Sequence, residues 1–373
     1  MNISVNYCSA IGDPTGYGEA AREFVTALYV TGVDVTVEKA VFTRDNTDYG
    51  WRGYLCDQLM HRNNNYKIKI IHLTPDIYEK YMEDGIYHIG HLMWETDKLP
   101  YKWANYCNKL DEIWATSPHM IELFKRSGVK VPMFYFPQPI DILDAEKEYE
   151  KYVILPHRGY LFYSIFQWIG RKNPKALLKA YWKEFEGEEE VGLLLKTFRL
   201  DYSNEEFGHI RSDIVSWRNE LGRGHWPRVY LVNRLMTKEE IMRVHNTGDC
   251  LVLTHRGEGW NRVILESLLM KKPVISTARG GVHEYLRPEH YFPIESYYVP
   301  VEEVSYIKFY TKDQMWAEIK EEELRETMRF VFNNRDTAKA KGDVGCDFIK
   351  ESFNYWRVGS MMRKRLEEIY KHL

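Results

Sequence analysis

Two glutamates, Glu258 and Glu266, stand with seven residues between them in the stretch CLVLTHRGEGWNRVILESLLMKKPVISTARGGVHEYL, residues 250–286. Glu258 lies in a glycine-containing turn, with Gly257 and Gly259 beside it. Val263, Ile264, Leu268 and Leu269 recur at helical spacing, which predicts a helix over Trp260 to Met270. Glu266 then sits about two turns in, on the order of 10 Å further along the axis. A helix start offers free N–H groups and the positive end of the dipole, which suits a phosphate. Two carboxylates beside an anion site can accept hydrogen bonds from hydroxyls. A sugar joined through a diphosphate to a ribose has that chemistry. The competing reading is an ordinary strand–helix–strand unit with two solvated glutamates. The glycines, the helix start and the later Gly280-Gly281-x-x-Glu284 weigh against it.

Other residues of chemical interest fall at predicted strand ends. Arg171 and Lys172 occupy a Gly170–Pro174 turn between a strand and a helix. Fixed cations there would stabilise the charge that grows on a departing diphosphate more than the ground state. Lys196 ends a strand and is a weaker candidate. In the first half, Gly16, Tyr17 and Gly18 follow the opening strand, and His91, Trp94 and Glu95 end another. Strand C-terminal ends are where open α/β sheets place ligands. Glu95 reads as either a ligand contact or a structural cap. His91 reads slightly more readily as a satisfied core histidine.

The elements that must position these residues alternate along the chain. Strands are predicted at Asn2–Tyr7, Val33–Val37, Ile68–Leu73, Tyr87–Trp94, Glu112–Ala115 and Met133–Phe136. A helix is expected over Glu19–Thr31, and another from Pro118 to Ser127, with Ser117 as its cap. Lys39–Asn65 reads as irregular surface loop with short elements. The opening turn lacks the full dinucleotide fingerprint, since Arg22 and Glu23 stand where a third glycine would be. Pro137, Pro139 and the charged Asp144–Lys151 mark a linker. The second half repeats the alternation, with strands at Tyr160–Phe166, Val191–Thr197, Val229–Val232, Cys250–Leu253 and Pro273–Ser276. Cys346–Leu373 reads as one long helical pattern.

Composition narrows the class. The chain has 373 residues, room for two ordinary domains, and a formal charge of −3. That charge gives no strong nucleic-acid signal. The five scattered cysteines show no metal-ligand spacing and read as reduced thiols of a cytoplasmic protein. No signal peptide and no transmembrane run is expected, and the 27 tyrosines and 11 tryptophans leave peripheral membrane contact open.

GEGWNRVILESLLMKKPVISTARGG resembles the E-x7-E signature of retaining glycosyltransferases of the family 4 type. That resemblance implies the α/β GT-B architecture: two Rossmann-like domains facing across a cleft, with a C-terminal helix crossing back to the first. The expected domains are 1–150 on the acceptor side, 151–345 for the nucleotide-sugar donor, and 346–373 as the returning helix. RKNP resembles the family's phosphate-binding turn, with Lys172 matching its lysine; its usual arginine lies earlier than Arg171, near Ser164–Gln167. Trp94, Glu95, Pro100 and Trp103 resemble a pattern of related sequences, and the family often carries a histidine near His91 that contacts the transferred sugar. The resemblance assigns Glu266 to the ribose and Glu258 to donor-sugar hydroxyls. It puts Gly259, Trp260, Asn261 and Arg262 beside the donor, and Gly16, Tyr17 and Gly18 at the donor phosphates and acceptor. The family has glycine where this chain has Asn261. The implied donor is a UDP or GDP sugar, with an unidentified acceptor, no other cofactor and no metal, since no Asp-x-Asp pair stands out. Domain closure would assemble the site. A DNA- or protein-directed transferase, a sugar-nucleotide epimerase or phosphorylase, and a catalytically degenerate sugar-nucleotide binder remain open at this point.

Overall fold

The computed structural model describes residues 3–40, 49–153, 157, 159–188, 190–302 and 308–373. The chain divides into two compact units, Met1–Asp144 with Lys350–Leu373, and Ala145–Ile349.

In the first unit, β1 (Ser4–Ser9) leads into α1 (Gly16–Val30), β2 (Asp34–Lys39), α2 (Gly50–Met60), β3 (Ile68–His72), β4 (Tyr87–Leu92), α3 (Trp103–Cys107), β5 (Glu112–Ala115), α4 (Pro118–Arg126) and β6 (Met133–Tyr135). Its six strands are all parallel, in the order β2-β1-β3-β4-β5-β6. Strands buried along their whole length, such as Ile68–His72, suit this arrangement, because helices cover both faces of a parallel sheet. The chain direction across the sheet reverses between β1 and β3, so a crevice opens at the C-terminal ends of those two strands.

The second unit comprises β7 (Tyr160–Gln167), α5 (Pro174–Glu184), β8 (Val191–Phe198), α6 (Asn204–Glu220), β9 (Arg228–Val232), α7 (Lys238–Thr247), β10 (Cys250–Leu253), α8 (Arg262–Leu269), β11 (Val274–Thr277), α9 (Gly281–Tyr285) and β12 (Phe292–Ile294). Its parallel sheet runs β12-β11-β10-β7-β8-β9, and the reversal falls between β7 and β10. An antiparallel pair, β13 (Ser296–Pro300) and β14 (Met315–Ile319), precedes α10 (Glu321–Asn333) and α11 (Arg335–Ser352). The last helix, α12 (Tyr355–Tyr370), belongs to the first unit. Its Val358, Met362, Leu366 and Ile369 join the core built on β1, β3 and α1.

Three regions depart from the sequence reading. The tail is two helices, because Asn354 caps α12 by accepting from the Arg357 N–H at 2.9 Å. α1 starts three residues early, so Gly16–Gly18 form its first turn. α2 lies within the expected loop; residues 41–48 of that loop, like Asn2 of the first predicted strand, lie outside the described residues. The buried side of α2 is Arg52, Cys56 and Leu59, and Arg52 pairs with buried Glu23 at 3.0 Å. An arginine in the buried stripe hides the helix from a hydropathy reading.

Candidate active site

The unit that carries Glu258 and Glu266 is held by backbone constraints. Asn261 precedes α8 at φ 68, ψ 75, in the left-handed region that asparagine tolerates better than most residues. The conformation that a glycine would supply is therefore kept. Gly281 comes so close to the Gly259 carbonyl that any Cβ would collide with it, and its N–H donates to the Glu258 carbonyl at 3.0 Å. The Gly280-Gly281 turn thus buttresses the loop before α8. Trp260 is buried with its ring 4.2 Å from Tyr285, whose hydroxyl donates to the Trp260 carbonyl at 2.7 Å.

Arg171 and Lys172 follow β7, and Glu258 follows β10, so the topological switch brings the three together. Arg171 Nη1 donates to Glu258 Oε1 at 3.1 Å and to the Gly257 carbonyl at 2.7 Å. Lys172 Nζ donates to the same Oε1. Oε2 accepts no hydrogen bond from the described residues. Burial alone would raise the Glu258 carboxyl; Lys172 and then Arg171 outweigh it and hold it at about 2. The loops are tied further by the Arg256 N–H to the Arg171 carbonyl at 2.7 Å and by Thr254 Oγ1 to the Asn173 carbonyl at 3.0 Å. Two partners were not read from the sequence. Glu318, on β14, receives Asn173 at 2.7 Å and Arg256 at 2.5 Å. His255 is buried and held down at about 4 by that burial, with its Nδ1 3.5 Å from the Asn261 amide.

Glu266 has a separate set of partners. Lys238 Nζ lies 2.5 Å from its Oε1, Arg262 Nε 2.8 Å from the same oxygen, and His245 Nε2 3.4 Å from Oε2. Burial again opposes ionisation, but Lys238, Arg262 and His245 keep the carboxyl well below the usual range. Burial lowers His245, so its imidazole is neutral. Its Nε2–H then faces Glu266, and its Nδ1 accepts from the Tyr163 hydroxyl at 2.9 Å. Tyr163 in turn accepts from Ser267, also 2.9 Å away. Lys238 and His245 were missed because only the return of α7 to α8 brings them near; no local pattern signals it.

In the first unit, Gly18 packs so tightly that a Cβ would strike the Asp13 carbonyl. Arg22, fully buried, donates to the Ile11 carbonyl and to that of Asp13 at 3.2 Å, and stacks 3.6 Å over Tyr49. It braces the turn where the fingerprint's third glycine is missing. Gly16 stands in open space. The Tyr17 ring lies 4.6 Å from His72, which stacks on His91 at 4.3 Å. The Tyr7 hydroxyl bridges the pair, 2.8 Å from His72 Nδ1 and 3.3 Å from His91 Nδ1. Burial drives His91 down to about 3, and burial with its neighbour lowers His72, so both rings are neutral. Neither Nε2 has a partner among the described residues. His91 is therefore buried without being fully satisfied. Half-buried Glu95 and Asp76 bear on Tyr17 and, after burial itself, raise its hydroxyl. The structure thus groups Tyr17, His91 and Glu95 and adds Tyr7 and His72, which the sequence did not single out.

No cluster of three or more His, Cys, Asp or Glu suited to a metal occurs among the described residues, and no helix there is long and apolar enough to cross a membrane. All five cysteines are free and buried.

Residues 186–305 match the family described as Glycosyl transferases group 1. Comparison with curated proteins finds no match. Among solved structures, a sucrose-phosphate synthase from Thermosynechococcus elongatus is similar at 13% identity and TM-score 0.70, covering 100% of both chains. Anabaena HepE, solved with UDP and glucose, is similar at 13% identity and TM-score 0.66 over 98% of this chain and 100% of that one. A glycosyltransferase from Rickettsia africae is similar at 14% identity and TM-score 0.66, with 100% of both chains covered. The fold is the GT-B architecture, two Rossmann-like domains with a final helix that returns to the first. Together with the match over 186–305, it supports a GT-B glycosyltransferase.

Proposed function

We propose that this protein is a retaining glycosyltransferase of the family 4 type, moving a sugar from a nucleotide-diphosphate sugar to a glycan, lipid or small-molecule acceptor without a metal ion. The observation that carries the proposal is the junction of Arg171, Lys172 and Glu258 at the reversal between β7 and β10. Both cations engage Glu258 Oε1, which leaves Oε2 to accept from a sugar hydroxyl. The same cations stand where a diphosphate would gain charge as its sugar departs. Glu266 is a buried, fully ionised acceptor suited to ribose hydroxyls. Gly259, Trp260, Asn261 and Arg262 line the approach to α8, and the left-handed backbone at Asn261 removes the main reason to read the site as degenerate. HepE, solved with UDP-glucose, supports a UDP sugar as donor. Acceptor recognition is assigned to the first unit, at Gly16, Tyr17, Gly18, His91 and Glu95.

The arrangement offers no carboxylate in the role of a nucleophile, since Glu258 and Glu266 are each tied to cations. Attack from the face that the diphosphate leaves would retain configuration. The test is incubation with UDP-glucose and an acceptor library in EDTA, followed by mass spectrometry and proton NMR of the product. An α-linked product from the α-configured donor is expected. A β-linked product, or transfer that stops in EDTA, would overturn the corresponding part of the proposal.

A further inference from the structure

Lys196 is not used by the reading above. It sits near the C-terminal end of β8, opposite Val232 of β9 and Ile165 of β7. Its side chain is 5% exposed, yet no carboxylate of the described residues pairs with it. Its neighbours are aromatic. Nζ lies 3.2 Å from the Tyr202 hydroxyl, 4.8 Å from the centre of that ring and 5.5 Å from the ring of Phe198. Burial, and then the positive charge of Arg234, push the ammonium down to about 8. Arg234 is itself engaged by Glu240 at 2.5 Å. The Tyr202 hydroxyl gives this ammonium one neutral acceptor, so a buried charge here still lacks an anionic partner and has donors to spare for a further acceptor.

Strand alternation locates it. Leu194 and Lys196 share a face of the sheet, and Leu194 is opposite Tyr163. The Tyr163 hydroxyl meets Ser267 on α8 and His245 on α7. Lys196 therefore lies on the face that carries Glu266, about 7 Å nearer the C-terminal edge than Leu194. A nucleoside whose ribose is held by Glu266 has its base to place along that edge. Phe198 and Tyr202, with ring centres 4.9 Å apart, offer π-faces for a flat ring. An ammonium can only donate, so it accepts a ring carbonyl as a partner and rejects an exocyclic amine.

We propose that Lys196, framed by Phe198 and Tyr202, selects the base of the donor nucleotide, favouring uracil or guanine, which carry a carbonyl where cytosine and adenine carry an amine. The inference rests on the donor-site reading, with Glu266 at the ribose. A hydrogen bond from a charged donor is strong enough to give about tenfold discrimination or more.

The test is calorimetric titration of UDP, GDP, CDP and ADP into wild-type protein and Lys196→Met. Wild type should bind UDP or GDP about tenfold more tightly than CDP and ADP. In the variant that preference should collapse to within about threefold, through loss of the oxo-base affinity alone, with Tm equal to or above wild type because an uncompensated buried charge is gone. Equal weakening for all four nucleotides, or a lowered Tm with selectivity intact, would mean a structural lysine and overturn the inference. Wild-type binding without base preference overturns it while sparing the donor-site reading. Folded wild type that binds no nucleoside diphosphate removes both. A crystal structure of wild type with the preferred nucleotide gives a readout independent of the variant. Lys196 Nζ within hydrogen-bond distance of the ring carbonyl supports the assignment, and an oxygen beyond about 4 Å overturns it.

Discussion

The two units place their candidate residues at the same topological point and fill it with opposite electrostatics. In each, the strand order reverses beside the first strand. Arg171, Lys172 and Glu258 follow the two strands at the second unit's reversal, while in the first unit Gly16–Gly18 follow β1, His72 ends β3, and His91 and Glu95 come from the adjacent β4 and the residues after it. In the second unit that point is dense with ionised groups, Glu258 with two cations and Glu266 with two cations and an imidazole. In the first it holds two stacked imidazoles that burial keeps neutral, bridged by one tyrosine hydroxyl. A crevice whose buried imidazoles are neutral donors and acceptors suits uncharged hydroxyls. A crevice whose charges are already matched in pairs can admit a diphosphate by exchanging partners. The shared fold supplies the position, and the side chains decide which half of the reaction each position serves.

The largest effect should come from removing a cation. Lys172→Ala is expected to lower kcat about 100- to 1000-fold, with donor KM changed much less, because its charge matters most as the diphosphate departs. Steady-state kinetics at saturating acceptor checks this. A loss confined to KM would make the second unit a binding site only. Glu266→Gln, which keeps the shape and removes the charge, should raise donor KM about tenfold and leave kcat within about threefold. Isothermal titration with the nucleotide diphosphate alone should show the same tenfold loss.

The neutral point should respond differently. Tyr7→Phe removes the one hydroxyl that serves both histidines and leaves two buried Nδ1 atoms without it. A stability loss of about 1–3 kcal/mol is expected by urea titration, with donor affinity unchanged. A loss of donor affinity in this variant would erase the division between the two units.

How much of this was legible in the sequence depended on range. The β10–α8 unit could be read because strand, turn, glutamates and helix are contiguous, and Ser117 with Pro118 announced α4. Asn261 read as a departure because a residue's type is visible and its φ is not. Glu266 was legible, but Lys238 and His245 were not, since nothing near them in the chain shows that α7 packs beside α8. Tyr7 and His72 escaped for the same reason: an alternating apolar strand gives no sign that one hydroxyl will bridge two imidazoles from neighbouring strands. The break between α11 and α12 was within reach, because Asn354 is a capping residue inside an otherwise periodic run.

The finest test of the contrast is pH. The ordinary value for histidine is 6.5, and His91 in the folded protein stands at about 3. As pH falls through 6.5, the unfolded chain takes up a proton that the folded protein refuses, so folding loses stability across the window from about 6.5 down to about 3. Glu258 acts lower: its folded value of about 2 lies beneath the ordinary 4.5, so its contribution is present above 4.5 and is lost as pH falls from there toward 2. Between about pH 7.5 and 5.5 the carboxylate is silent and the imidazole is not. Over that interval His91 alone should account for on the order of 1 kcal/mol of lost stability. His91→Gln should remove that share, flattening the urea-midpoint profile there without moving the steep loss below about pH 4. Other buried histidines, among them His245 and His255, keep part of the slope in the variant. An unchanged slope would mean that His91 already carries its proton in the folded state. The first unit would then hold a buried cation, and the contrast between a neutral crevice and a charged one would be lost.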